Sequence, residues 1–589
     1  MCGIFGYIGK PGAKETIVDG LKRLEYRGYD SWGVAVRHNG TISLSKQVGA
    51  IGDLTLSNGS LHACIGIGHT RWATHGGVTK RNAHPHMATD KSFVLAQNGI
   101  VENYLDLKSS LQKKGYSFTT QTDTEVIVRL IEEKRRQGAS LSEGTRQAFL
   151  DLKGRNTIIV LSSENDHIIA IRNGSPLVVG IGNGEYFISS DTLSFADRTS
   201  NVVLINDMEM VTYEHDTINL YNAQTGKKRR IAIQTLDHSA TKIDKGGYDH
   251  FMIKEIVEQK DTIREAIQYT TADLSPLVKS IRKAHIVYTV GAGTAGYAAG
   301  QIAYFLRKYA RKQSTELKSY EIDGYDSLFT PHDVLIAVSQ SGETADTIEA
   351  VDVARQKRVS IASVVNMIGS TTSRLSDYPY LTRSGPEICV ASTKAFTAQI
   401  SWGLVLAHTV AGKHQEAVNS IESASKSLSR YFTQKRFDDY KELAKRVAKH
   451  EHAFVLGKGA NHYISLEGAL KIKEISYKHF EGFSAGELKH GVIALIEKGT
   501  PVFVIVSPDE YEDDMRTAAA EVQSRGAYTI GISPKKQDLF DTTLTVPNIG
   551  IAQPIANIIP FQLLSYFLGV TLGNNVDRPR NLAKSVTVK

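Results

Sequence analysis

HIVYTVGAGTAG (285–296) decides the fold of the larger half of this chain. An apolar, β-branched run ends on a glycine-rich turn, and a long small-residue stretch with helical character follows. The pattern recurs downstream. DVLIAVS (333–339) leads through QSG into the helix-like ETADTIEAVDVARQ (343–356), and SIASVV (360–365) supplies the next strand. Strands alternating with helices predict a parallel, doubly wound α/β sheet. The half also repeats itself. IVYTVGAG (286–293) is echoed by AFVLGKG (453–459), and DVLIAVS (333–339) by PVFVIVS (501–507), at a nearly constant offset. That is a duplicated domain, not a solenoid, with copies expected at 280–420 and 446–579. Only the first keeps QSGET after its strand; the second reads PDEYE (508–512). One copy is therefore expected to bind a ligand that the other does not.

Working back towards the N-terminus, the texture changes. Residues 2–238 read as mixed helix and antiparallel strand. KETIVDGLKRLE (14–25) puts Ile17, Val18, Leu21 and Leu24 on one helical face. NTIIVLSS, END and HIIAIRNG form a hairpin pattern from 156 onward, and PLVVGIGNGEYFISSD repeats it around Gly-Asn-Gly. The polar stretch HSATKIDKGGYDH (238–250) is the linker candidate, taken as 239–250.

Bulk properties bound the function. A chain of 589 residues exceeds one hydrophobic core. Its formal charge of +7 is spread thinly, and the densest basic cluster, KKRR at 227–230, sits in a turn-like stretch. A nucleic-acid binder concentrates its excess in a stripe, so no nucleic-acid partner is expected. Cys2, Cys64 and Cys389 make an odd count without CxxC spacing, which argues against disulfides and a zinc knuckle and for a reducing, cytoplasmic setting. No signal peptide and no unbroken apolar run of about 18 residues is found, so no membrane span is expected. His84 and His86 in NAHPH lack a third ligand in sequence, and no metal is expected.

Cys2 follows Met1 directly. Methionine removal would leave a thiol beside a free α-amine, a nucleophile with its own base. Position alone favours a small buried cysteine, but its companions argue otherwise. MCGIFGYIG, LEYRGYDSWG, HTRWATHG, AQNGIVEN and TDTEV occur in that order within the first 126 residues. Together they resemble the glutamine amidotransferase domain of the N-terminal nucleophile (Ntn) type, an αββα glutaminase fold. The resemblance makes Cys2 the nucleophile and gives the oxyanion hole to the Asn98 amide and the Gly99 N–H. Arg71 would take the glutamine carboxylate and Asp123 its ammonium. Trp72, Thr74 and His75 would line the pocket, with Arg27 on a loop closing over it. Gln97 stands where relatives often carry His, with little effect expected on the oxyanion hole.

GAGTAG (291–296) fits the dinucleotide fingerprint, but Glu316 and Glu321 are poor candidates for its acidic partner, and no nicotinamide or flavin is expected. SQSGET (339–344) is the better ligand site. Its hydroxyls sit between a strand end and a helix start, where free N–H groups attract anions. Without the lysine of a nucleotide P-loop, a phosphomonoester is the expected guest. A simple helix cap would use one serine and leave the other hydroxyls unexplained.

With VASTKAFT (390–397), this loop resembles the phosphosugar site of glucosamine-6-phosphate synthases, and the two α/β copies resemble sugar isomerase (SIS) domains. The resemblance assigns Ser339, Gln340, Ser341 and Thr344 to phosphate, and Val390, Ser392 and Thr294 to the sugar side. Ala295 replaces a family serine there. In LEGALKIKEIS (466–476), Glu467, Lys471 and Glu474 share one helical face. By pattern alone that is a solvated salt-bridge stripe, yet Leu470, Ile472 and Ile475 make much of the remaining surface apolar. The family reading makes Glu474 the base that moves a proton between C1 and C2, with Lys471 and Glu467 beside it. His490 in GELKHG would open the sugar ring. Lys584, in the tail at 580–589, would form an imine with the C2 carbonyl. The resemblance spans Cys2 to Lys589. It implies L-glutamine and fructose 6-phosphate as substrates, an ammonia tunnel gated by Trp72, no cofactor, and a homodimer.

Overall fold

A computed structural model describes residues 2–51, 62–236 and 244–587. The chain divides into two compact units, Met1–Ile243 with Ala583–Lys589, and Asp244–Leu582. Of the expected linker, residues 239–243 lie outside the described residues.

The first unit stacks two antiparallel sheets between helices. One sheet has eight strands, and its centre is Tyr186–Ser189, Gly3–Ile8, Ile65–Arg71 and Ser31–His38 in that order. The other has seven, with Ile168–Asn173, Asn156–Ser162 and Phe93–Gly99 adjacent. Side-chain alternation builds the layers. Ile4, Ile8, Ile65 and Ile67 face the second sheet, where Val94, Ala96, Ile159 and Leu161 meet them. From the opposite face of the first sheet, Phe5 and Tyr7 join Ile17, Val18, Leu21 and Leu24 of the helix Ala13–Leu24. Gly68 lets that helix lie close, since a Cβ there would come within 2.5 Å of Ile17. Helices Tyr104–Lys113, Thr124–Arg136 and Leu141–Leu150 cover the outer face of the second sheet. This is the αββα arrangement, and both expected hairpins are present.

The second unit contains two parallel five-stranded sheets of identical topology. The first runs Ser314–Lys318, Val287–Gly291, Val334–Ser339, Ser360–Val365 and Tyr378–Leu381; the second runs His479–Ser484, His452–Gly457, Pro501–Ile505, Tyr528–Ser533 and Thr542–Thr545. In each, the first strand in sequence lies between the second and third. Loops after the first and third strands thus flank a crevice at the point where strand order reverses. The duplication extends to backbone conformation, since Gly293 and Gly459 both adopt positive φ, +54° and +59°.

One long apolar helix bears on the expectation that no segment spans a membrane. No 18 consecutive residues are all apolar, yet Gly550–Thr571 is long and apolar enough, by length and composition, to cross a membrane. It is a core helix: 89% of the window is buried in the protein. Ile555, Ile559, Phe561 and Leu564 are among the side chains it packs into the second unit's core.

Candidate active sites

In the first unit, Cys2 precedes the strand Gly3–Ile8, and its half-buried Sγ accepts a hydrogen bond from the Trp72 N–H at 3.3 Å. Burial pushes its thiol pKa up, opposed by the neighbouring Arg71 among others. Arg71 ends its strand buried, and its guanidinium donates to the carbonyls of His75 at 2.5 Å, Gly76 at 3.2 Å and Gly77 at 3.3 Å. It shapes the very loop that carries Thr74 and His75. Thr74 is exposed, while Trp72 and His75 are half-buried. Asp30 buttresses this loop by accepting from the Ala73 N–H at 2.8 Å. Its sequence signal is its place in the motif GYDSWG.

Arg27 lies in a short 3-10 turn, Glu25–Arg27, and is buried. It donates to the Cys2 carbonyl at 3.4 Å and pairs with Asp191 at 3.3 Å. The structure therefore seats its side chain inside the unit, beside the Cys2 backbone. Asp191 is a second residue that sequence reading passed over.

Asn98 and Gly99 end the strand Phe93–Gly99. Gly99 has φ +124°, and a Cβ would fall 2.0 Å from the Arg155 carbonyl oxygen. No other residue fits there without moving the strand. Gly99→Ala should lose at least about 1–3 kcal/mol of stability to backbone strain. Glutamine hydrolysis should fall with it, which a thermal melt and a glutamate-release assay would show together. Asp123 is buried, accepts from the Val101 N–H at 2.7 Å, and has its carboxyl pKa raised by burial.

Gln97 is tied in at every polar group. Its Nε2 donates to Asn156 Oδ1 at 2.6 Å, its Oε1 accepts from the Thr124 hydroxyl, and its carbonyl accepts from His69 Nε2 at 2.9 Å. It thus links the strand of Asn98 to the first residue after Asp123. The rings of His69, His84 and His86 pack in sequence, the first pair tilted and the second edge-on, with centroids 4.4 and 4.8 Å apart. His84 and His86 bond Thr124 and Thr122. Burial drives the pKa of all three far down. Among the described residues no group of His, Cys, Asp and Glu is arranged to hold a metal.

In the second unit, the loop Ser339–Thr344 leaves the strand Val334–Ser339 and opens the helix Ala345–Gln356. Ser339 Oγ accepts from the Gly342 N–H at 2.9 Å and Ser341 Oγ from the Glu343 N–H at 3.1 Å, so both hydroxyls also shape the loop. Thr344 occupies the N-cap without a capping hydrogen bond from its side chain. Gln340 is half-buried. Gly342 has φ +63° and packs on Ser370. Glu343 turns away from the loop and accepts from the Thr371 N–H and hydroxyl, both at 2.8 Å. The second ligand loop is braced similarly. Val390 is buried, and Ser392 donates to Glu387, which also accepts from the Thr393 and Ala395 N–H groups. Glu387 precedes the quoted motif, so sequence reading missed it.

The charged helix face is not a surface stripe. On the helix His462–Ser476, the Glu467 and Lys471 side chains are 0% exposed and that of Glu474 19%. Lys471 Nζ lies 2.5 Å from Glu474 and 3.5 Å from Glu467. Thr294, after the first strand of the first sheet, donates to Glu467 at 3.2 Å. A helix of the second copy thus reaches the crevice of the first. Burial raises the Glu467 carboxyl to about 8, against the pull of Lys471. For Lys471, burial is outweighed by Glu467 and Glu474, and its pKa rises.

The folded chain therefore holds the Glu467 proton more tightly than the unfolded chain does. Its stabilisation is full below about pH 4.5 and fades as pH climbs towards 8. Glu467→Gln should flatten that part of a plot of melting temperature against pH.

The equivalent crevice of the second copy is closed by side chains. Asn461 donates to Ser507 at 2.9 Å, and Asn557 donates to both Asn461 and Ser507, at 2.7 and 2.9 Å. His490 is exposed, just past the short helix Ala485–Leu488. Lys584 is grouped with the first unit.

A glutaminase-like unit preceding a pair of sugar-isomerase-like sheets defines a glutamine-dependent amidotransferase class. Family models agree: a glutamine amidotransferase domain matches residues 69–197, and SIS domains match 280–409 and 446–569. The glutamine–fructose-6-phosphate aminotransferases (isomerizing) of Pyrococcus horikoshii and Chlorobaculum tepidum are 39% and 38% identical to this chain, with 100% of both sequences covered in each comparison. The C-terminal domain of the Francisella tularensis glucosamine-fructose-6-phosphate aminotransferase superposes with a TM-score of 0.52 at 30% identity, covering 57% of this chain and 100% of that one. A putative tagatose-6-phosphate ketose/aldose isomerase from Clostridium novyi shares the fold at TM-score 0.51 and 17% identity, over 57% of this chain and 93% of its own. The chain belongs to the isomerizing glutamine–fructose-6-phosphate aminotransferase family.

Proposed function

We propose that this chain transfers the amide nitrogen of L-glutamine to D-fructose 6-phosphate, giving D-glucosamine 6-phosphate and L-glutamate. The observation that carries the reading is the buried Glu467–Lys471–Glu474 array joined to Thr294, in a chain whose full length matches this family. A solvated salt-bridge stripe has no reason to be buried; an acid–base centre has.

With Met1 removed, Cys2 attacks the glutamine carboxamide. Asn98 and Gly99 donate to the oxyanion, Arg71 and Asp123 hold the α-carboxylate and α-ammonium, and Trp72, Thr74, His75 and Arg27 enclose the side chain. Ammonia leaves, and water hydrolyses the glutamyl thioester. Trp72 gates a protected passage for the ammonia. Ser339, Gln340, Ser341 and Thr344 hold the sugar phosphate, while Thr294, Val390 and Ser392 contact the sugar. His490 opens the ring and Lys584 forms an imine at C2, which ammonia displaces. Glu474, paired with Lys471, then moves the proton between C1 and C2. The cytoplasm is the setting, no cofactor takes part, and the enzyme works as a homodimer.

The reading is tested by supplying both substrates and identifying the amino sugar alongside glutamate. Equal amounts of the two products are expected. Glutamate without amino sugar would sink the acceptor assignment.

A further inference from the structure

Three polar groups, on the strands Ile65–Arg71 and Phe93–Gly99 and just after the strand Tyr186–Ser189, have bonding that does not close. His69, Asn98 and Ser190 are all buried. His69 Nε2 faces the Gln97 carbonyl at 2.9 Å. A carbonyl only accepts, so Nε2 carries the proton. In the neutral ring, which burial enforces, Nδ1 is then a bare acceptor. The Asn98 carboxamide is among the neighbours that act on this ring. Yet His69 Nδ1 and Asn98 Oδ1 both lack a hydrogen-bond partner. Each is an acceptor left without a donor.

At the other end of the amide, Asn98 Nδ2 lies 2.8 Å from Ser190 Oγ, which already accepts from the Ile4 N–H at 2.9 Å. Exchanging the amide's oxygen and nitrogen, which are nearly isosteric, settles all three groups. The Ser190 hydroxyl donates to Oδ1, and Nδ2 donates to His69 Nδ1. One amide N–H is left over.

We propose that His69 is a positioning residue for glutamine hydrolysis: its unprotonated Nδ1 accepts from the Asn98 amide, Ser190 donates to the amide oxygen, and the second N–H is thereby aimed at the oxyanion. The proposal rests on Asn98 acting as the oxyanion donor. It explains why a histidine that does not titrate near neutrality lies beside the reacting strand, and why Ser190 bridges the strand of Asn98 to that of Cys2.

Two near-isosteres separate the ring nitrogens. His69→Asn keeps an acceptor near Nδ1 and loses the donor to Gln97. His69→Gln keeps that donor and loses the acceptor. With the full chain, kcat and KM for glutamine hydrolysis are measured alongside inhibition by glutamate γ-semialdehyde, whose adduct with Cys2 mimics the tetrahedral intermediate. Asn98→Ala is the reference, expected to lose ~10²–10³ in kcat. His69→Gln is expected to lose roughly 10-fold or more in kcat and equally in semialdehyde affinity, with glutamine KM within about 3-fold. His69→Asn should stay within about 3-fold of wild type in all three. Ser190→Ala should resemble His69→Gln, and unchanged ammonia-dependent synthesis would show that these variants fold. Equal damage from both histidine substitutions, or loss of KM in step with kcat, would overturn the proposal. If Asn98→Ala hydrolyses glutamine normally, the assignment of Asn98 falls first and the proposal with it.

Discussion

Cys2→Ala should reduce glutamine-dependent amino-sugar synthesis by at least about 10³-fold, since a methyl group cannot replace the attacking thiolate. Ammonium salts should restore synthesis, because the sugar chemistry belongs to residues of a different sheet system. Burial raises the Cys2 thiol pKa in the resting site. The variant should melt within about 1 °C of wild type, as a half-buried thiol contributes little packing. Loss of synthesis with both nitrogen donors would mean that Cys2 does more than hydrolyse glutamine.

Lys471→Met should be the most damaging substitution in the second unit. Its ammonium is the shared partner of Glu467 and Glu474, and all three side chains are largely withdrawn from water. Removing one member of a buried ion pair leaves an uncompensated charge and costs about 3–5 kcal/mol. Glu467→Gln should be far milder, because Glu467 gives up its proton only near pH 8 and the amide imitates the neutral acid. Synthesis should fail in Lys471→Met with glutamine or ammonium alike. The two variants are compared by denaturant melts and by turnover at pH 7; equal destabilisation would refute the asymmetry.

Local pattern made much of this legible. The face of the helix Ala13–Leu24, the two hairpins and the paired strand–glycine–helix units were all readable because each depends on neighbours within about twenty residues. Long-range partners were not. Nothing near Glu387 announces that it braces the loop of Ser392, and Asp30 holds the Ala73 backbone from a distant strand end. The spacing of Glu467, Lys471 and Glu474 fixed their common face but not what that face meets, which Thr294 settles. The long core helix escaped notice for another reason: counting unbroken apolar runs passes over a helix whose Asn557 and Gln562 interrupt the run without making it polar overall.

The Asn461–Ser507–Asn557 network has an implication for the history of the chain. Duplication gave two equal clefts, and one has been sealed by amides while its neighbouring helix was lent across to the other. Neither copy is now self-sufficient. Expressed alone, the first would keep the Ser339–Thr344 loop without the Glu467–Lys471–Glu474 array. The second would keep that array without Thr294 to meet it. The pair has become an obligate tandem, and cutting it at the repeat boundary would yield two inert halves.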